Sequence, residues 1–287
     1  MRFTKMHGLG NDYIYIDAHR ESLGEIDLPW LARVLSDRNF GIGADGIILI
    51  LPSEPADFRM RMFNADGSES EMCGNGMRCF AKYVHDHGLT RKTEFVVETG
   101  AGLIRPRVTL ERGHVSSVTV DMGPPVLARR AIPMLGSPEE GRVIDEPLRV
   151  GDQEARVTCV SMGNPHCVLF VDDVEAAPVR TLGPLIERHE VFPARTNVEF
   201  IRVVADDRLD MRVWERGSGE TLACGTGASA SVVAAALNGH AGRACTVRLL
   251  GGELQIEWRA DDHVFLTGPA VEVFAGEVDP AAIARPA

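Results

Sequence analysis

Short runs of alternating apolar and polar residues, rich in Val, Ile and Phe, recur along the chain and predict strands. They fall at 13–17, 47–51, 58–63, 94–98, 103–110 and 115–122, and again at 157–161, 167–171, 197–204, 209–215, 245–249, 253–258 and 264–268. Helical spacing is rarer, at 29–36, 76–87, 182–189 and 227–237. Gly88 and Gly239 stand just past two of these helices, where glycine suits a left-handed cap. From Ala228 to Leu237 the side chains are small or apolar all round, which marks a helix enclosed by other structure and one far too short for a bilayer. The pattern reads as a helix wrapped by strands, made twice.

The second making is written in the residues. Cys73-Gly74-Asn75-Gly76 returns as Cys224-Gly225-Thr226-Gly227, 151 positions on. Gly10-Asn11-Asp12-Tyr13 returns as Gly163-Asn164-Pro165-His166, at 153. Phe40 and Asp45 match Phe192 and Asn197 at 152, and Asp66-Gly67-Ser68 matches Arg216-Gly217-Ser218 at 150. Matches in the same order at nearly one offset predict two homologous domains from an internal duplication, and a period of about 150 is domain-sized, not that of a solenoid. We expect one domain over 1–122 and a second over 123–269, with a strand near Val271-Glu272-Val273-Phe274 returning residues 270–287 to the first.

Composition narrows the function classes. At 45% hydrophobic and 25% charged, each half can bury a core. A formal charge of −11 with no Lys/Arg-rich run argues against nucleic acid as a partner. The start, Arg2-Phe3-Thr4-Lys5-Met6-His7, has no apolar signal core and no segment has the length of a membrane span, so we expect no membrane partner and a cytoplasmic protein. Six cysteines in such a chain make a poor case for a disulfide framework, and their spacing fits no zinc site, so no metal is expected. Cys79, Cys159, Cys167 and Cys245 sit among apolar neighbours and read as small core hydrophobes.

Cys73 and Cys224 differ, because each stands at the mouth of a helix and is followed by two glycines. The unpaired N–H groups of a first helical turn favour an anion, and the same field favours thiolate. Each site thus offers a thiol beside a cradle for a carboxylate. Set face to face, two such thiols suit inversion at an amino-acid α-carbon: one removes a proton and the other returns it from the opposite side. No cofactor is expected, since neither a dinucleotide fingerprint nor a phosphate loop is present; the glycine-rich stretch 39–46 reads as a substrate-facing turn.

Seven segments carry a family resemblance: 7–12 (His-Gly-Leu-Gly-Asn-Asp), 63–68, 72–78, 162–166, 196–200, 214–221 and 223–227. Together they resemble diaminopimelate epimerase, over residues 3 to about 276. The resemblance implies an α+β fold of two homologous domains, each a strongly curved, mostly antiparallel sheet around a central helix, with the active site in the cleft between them. It implies a cofactor-independent isomerase that interconverts LL- and meso-diaminopimelate on the route to lysine and peptidoglycan precursors. Cys73 and Cys224 become the two acid/base residues, supported by His166 and Glu215. Substrate contacts fall to Asn11, Asn64, Asn164, Asn197, Glu215 and Arg216, and to the backbone at Gly74, Asn75, Gly225 and Thr226. Ala44 replaces a glutamine seen in some members, and Phe274 a tyrosine associated with a homodimer contact.

Blander readings stand beside these. One Cys-Gly-x-Gly alone is more often a tight helix entry with a buried thiol; the second copy is what points to catalysis. Asn11, Asn64 and Asn197 could simply close turns. A proline or hydroxyproline racemase, a thiol-redox enzyme that pairs Cys73 with Cys224, and a non-enzymatic binding protein are the competing classes.

Overall fold

Gly10 and Gly163 adopt left-handed backbone, φ 89° and 92°, at corresponding places in the computed structural model, which describes residues 1–21 and 23–283. A side chain would strain that conformation, so glycine turns the chain immediately before Asn11 and Asn164. The first turn joins β1 (Arg2–Gly8) to antiparallel β2 (Asn11–Asp17). The chain then crosses through α1 (Leu28–Ser36) to β3 (Gly46–Leu51), parallel to β2, and returns along antiparallel β4 (Phe58–Asn64). Short β5 (Glu69–Ser70) flanks β4 before α2 (Gly74–Asp86); β6 (Val97–Thr99) then lies parallel to β4 and pairs with β7 (Gly102–Ile104). A hairpin of β8 (Arg107–Glu111) and β9 (His114–Asp121) follows.

The same sentence of strands is repeated. After β10 (Val143–Val150), β11 (Gln153–Ser161) and β12 (Pro165–Phe170) form the hairpin, α3 (Val179–Glu187) makes the crossover, and β13 (Asn197–Ala205) lies parallel to β12. Antiparallel β14 (Arg208–Glu215), flanking β15 (Gly219–Glu220) and α4 (Gly225–Leu237) come next. Then β16 (Ala244–Leu249) lies parallel to β14, and β17 (Gly252–Trp258) and β18 (Val264–Gly268) close the series. Parallel and antiparallel pairs fall in the same order in both halves, so the duplication is topological as well as verbal. Two units result, Met1–Val120 with Gly268–Ala287, and Asp121–Thr267. The final strand, β19 (Val271–Glu277), pairs antiparallel with β1 and edges the first unit's sheet.

Burial explains the central elements. The unbroken apolar run of β3 is covered on one face by α1 and on the other by α2, which also packs on β1 and β2. In the second unit α4 touches β11, β12, β13, β14, β16 and β17, which is why its sequence has no polar face. Its serines are accommodated internally: Ser229 Oγ donates to Gly225 O at 3.0 Å. Both helices end alike, with Gly88 and Gly239 at φ 74° and 69° and the next N–H, of Leu89 and His240, reaching back five residues to Val84 O and Ala235 O.

Several expected boundaries move. The strand expected at 103–110 is two strands, because Pro106 lacks the N–H a ladder needs. That at 94–98 contracts to β6, Glu94 keeping a single bridge to Arg107. The helices expected from residues 76 and 227 begin two residues earlier, directly after each cysteine, and α3 runs 179–187 rather than 182–189. β1 hides its pattern because Lys5 is buried, paired with Asp12 at 2.5 Å. β10 hides its own behind Pro147, tolerated on an edge strand. Among the described residues no helix is long and apolar enough to cross a membrane.

Candidate active site

Cys73 and Cys224 are the N-caps of α2 and α4. Both hold extended backbone (φ −139°, ψ 122° and φ −126°, ψ 107°), and each Sγ accepts the N–H of the third helical residue, Gly76 or Gly227, at 3.4 Å. A thiol thus sits where Ser or Asp usually caps, on the axis of the helix and at its positive end. Cys73 is half-buried and Cys224 buried. The other four cysteines are buried in the cores.

Around Cys73 the first unit gathers Asn11 and Asn75. Asn11 Oδ1 accepts from Cys73 Sγ at 3.5 Å and from Asn75 Nδ2 at 3.2 Å, while Asn11 Nδ2 donates to Asp45 Oδ2 at 2.7 Å. Asp45 is fixed in turn by the Asp12 N–H at 3.0 Å and by Arg38 at 2.9 Å. Buried Tyr13 adjoins both Asn11 and Cys73, and its phenol is raised well above its ordinary range by burial and the neighbouring sulfur. Arg78, fully buried one turn into α2, donates to Gly74 O at 3.4 Å and Pro269 O at 3.2 Å. Asn64 lies at the end of β4 with its Nδ2 on Ser68 Oγ at 3.0 Å; Ala44 is buried.

Around Cys224 the second unit builds a longer chain of contacts. Sγ lies 3.5 Å from Thr226 Oγ1, which accepts from Asn164 Nδ2 at 3.3 Å; Asn164 Oδ1 lies 3.0 Å from His166 Nε2, and His166 Nδ1 lies 2.6 Å from Glu199 Oε1. His166 and Glu199 are both fully buried. Glu215 accepts from the Thr221 hydroxyl, and burial raises its carboxyl above the usual range. Asn197 spends its amide on positioning: Oδ1 accepts the Arg216 N–H at 2.9 Å and Nδ2 donates to Pro165 O at 2.9 Å. Arg216 is exposed, its guanidinium steadied on Ala194 O at 2.9 Å with donors to spare.

Asn11 and Asn75 thus meet at the mouth of α2 and Thr226, Asn164 and His166 line up from the mouth of α4, while Asn64, Asn197 and Arg216 are held by Ser68, Pro165 and Ala194. The residues that sequence reading passed over are Glu199, Tyr13, Asp45 and Arg78. One signal was available for Tyr13, which stands where the repeat puts His166. Among the described residues no group of three or more His, Cys, Asp and Glu side chains is placed to hold a metal ion.

The family model for diaminopimelate epimerase matches residues 3–128 and 158–273. The chain belongs to this family. The diaminopimelate epimerase of Moorella thermoacetica is 59% identical over 278 residues, covering 96% of this chain and 99% of that protein. That of Methanococcus maripaludis strain C6 is 53% identical, covering 97% and 100%. Solved structures share the fold at low identity. A probable proline racemase from Agrobacterium radiobacter K84 superposes with TM-score 0.68 at 19% identity, over 97% of this chain and 92% of that one. A PhzF-family phenazine biosynthesis protein of Bacillus anthracis does so with TM-score 0.69 at 19%, over 97% and 98%.

In this diaminopimelate epimerase family member the helix field does not decide the state of Cys224. Burial, then Glu215 and Glu199, push its thiol well above the ordinary range, and the donors Thr226 and Gly227 pull the other way without prevailing. A thiol so raised is less ionised than a free one at any given pH. Alkylation of Cys224, followed by peptide mass spectrometry, should therefore still be accelerating at about pH 10, where a free thiol of pKa about 8.5 has levelled. A rate that levels by pH 9 would contradict this.

The glycines at the two mouths are not equivalent. A Cβ on Gly227 would lie 2.7 Å from Glu199 Oε1 and 3.2 Å from Cys224 Sγ, whereas one on Gly76 would meet only the movable Ile48 Cδ1 inside 3 Å, at 2.8 Å. Gly227→Ala should cost about 1–3 kcal/mol as an overpacked site. Gly76→Ala should stay within about 1 kcal/mol of the parent, since helix propensity offsets the contact. Urea midpoints at unchanged m-value measure both, and equal losses would mean that the two mouths are packed alike.

Proposed function

We propose that this protein is a cofactor-independent epimerase that interconverts LL- and meso-diaminopimelate by a two-base proton transfer between Cys73 and Cys224. The observation that carries the reading is the pair of cysteine N-caps, one per unit, each with its sulfur held by the N–H of the third helical residue. One sulfur, as thiolate, takes the α-proton and becomes a thiol; the other, a thiol, delivers its proton to the opposite face and becomes thiolate. The raised Cys224 thiol suits the second role in the resting protein. Helix N–H groups at Gly74, Asn75, Gly225 and Thr226 favour the α-carboxylate and the charge that moves onto it as the carbanion forms.

Diaminopimelate carries an ammonium and a carboxylate at each end. Arg216, exposed and pre-set by Asn197 and Ala194, offers a fork for the distal carboxylate. Glu215 takes an ammonium, and Asn11, Asn64, Asn164 and the remaining valences of Asn197 address either group. His166 and Glu215 support Cys224. Incubation with LL-diaminopimelate under reductant, read by chiral chromatography, should give the meso isomer and leave proline unchanged; inversion of proline alone would replace this reading with that of a proline racemase.

We also propose a homodimer, in keeping with a cytoplasmic enzyme of this class, joined through β19. That strand edges its sheet and exposes Val271, Val273 and Phe274, whose ring packs edge-on to Phe3 at 5.9 Å. An exposed apolar edge strand invites pairing with a second copy. Light scattering should give twice the chain mass of 31.2 kDa, and Phe274→Glu should halve it; a monomeric parent protein would refute the proposal.

A further inference from the structure

A carboxylate fully out of water is costly unless a partner holds it, and an apolar residue would fill the same space without that cost. The first unit shows the alternative. Ile48 on β3 pairs with Tyr15 and lies against Gly76 at the mouth of α2; Glu199 on β13 pairs with Val168 and lies against Gly227 at the mouth of α4. The two positions correspond in strand pairing and in what they touch at the helix mouth, so the fold does not need a charge there.

We infer that Glu199 is a positioning residue for Cys224, acting through His166, Asn164 and Thr226; this rests on reading Cys224 as a proton carrier. The hydrogen bonds have one consistent direction. Asn164 Nδ2 donates to Thr226 Oγ1, so Asn164 Oδ1 is left to accept, and His166 Nε2, 3.0 Å away, must carry a hydrogen. Glu199 Oε1, 2.6 Å from Nδ1, holds the other side of the ring. Thr226 Oγ1, already accepting from Asn164, keeps its own hydrogen free for Cys224 Sγ, 3.5 Å away, once that sulfur is a thiolate. From His166 Nε2 outward, each link can donate toward the sulfur.

The consequence is a hydroxyl donor fixed on Cys224 whenever that sulfur becomes thiolate. Without the carboxylate, a buried neutral imidazole keeps one hydrogen and can place it on either nitrogen. With Nε2 bare, the Asn164 amide turns over, Thr226 donates to Asn164, and Cys224 loses its donor. Glu199 thus removes the wrong register of the chain, as the outer partner of a metal-bound histidine fixes its tautomer. Its second oxygen has no hydrogen-bond partner among the described residues, so the carboxylate is committed to His166 alone.

The test begins with the unaltered protein. The ¹⁵N shifts of the His166 ring should report a protonated Nε2; a bare Nε2 overturns the inference, whatever the protein's substrate proves to be. Glu199→Ile, which copies the first unit's residue, should lower kcat about 10- to 100-fold, the size of one buried hydrogen bond, with KM within about threefold. The ring should then populate both tautomers. Thr226→Val should cost a similar factor, and the double variant no more than either single one, because both break one chain. Additive losses, an unchanged kcat in Glu199→Ile, or a lost kcat with the ring tautomer intact would each overturn the inference. Should neither variant fold, the shifts of the parent protein still decide it. Failure of the parent to epimerise diaminopimelate would refute the functional reading instead.

Discussion

If Cys73 and Cys224 are the two proton carriers, as proposed, alanine in place of either should lower epimerisation of diaminopimelate by about 10⁴-fold, since one face of the α-carbon is then unserved. The two losses should be alike in size although their settings differ, because inversion needs both proton transfers in every turnover. Fold should survive. Alanine removes at each position the capping interaction of Sγ with the N–H of Gly76 or Gly227 at 3.4 Å, so a stability loss of about 1 kcal/mol is expected at each. Chiral chromatography with a urea titration separates the effects. Substantial turnover in either folded variant would mean that the proton carrier on that face is another group.

The second large effect follows from the proposal that Arg216 grips the distal carboxylate. Methionine there keeps the length of the side chain and removes the fork, so kcat/KM should fall roughly 100-fold, the scale of one charge-assisted bidentate pair. Most of the loss should appear in KM, because the distal carboxylate does not change as the α-proton moves. Arg216→Lys should recover only part of it, having charge without the planar fork. A methionine variant with the parental KM would assign the distal carboxylate to another residue. Asn197→Ala gives a related but smaller loss, since it frees the Arg216 backbone that Asn197 Oδ1 now holds at 2.9 Å.

How much of this was legible in the sequence depended on whether a residue's role is local. Cys73 and Cys224 were legible because a cap is defined by the next three residues, and both caps were written out with their glycines. The turn glycines Gly10 and Gly163, and the terminal ones Gly88 and Gly239, were legible for the same reason. Glu199 was visible only as part of Thr196-Asn197-Val198-Glu199-Phe200. Its meaning depends on β13 lying parallel to β12, which sets it beside His166, and on α4 placing Gly227 over it. No spacing along the chain encodes that. Arg78 and Lys5 were illegible for another reason, since basic residues in a helix or strand are mostly exposed, yet both are buried. The helix field was also legible at Cys224, but the opposing terms were not: burial and two carboxylates come from β13, β14 and the core, and they prevail.

The central claim is that a proton is removed and returned at one α-carbon by groups that exchange with solvent. It is tested most directly by incubating the reduced protein with LL-diaminopimelate in heavy water and following the α-protons by NMR. The account predicts meso product carrying one deuterium at the inverted α-carbon, with the other α-carbon untouched. Meso product with no deuterium, or no exchange at either carbon, would contradict it.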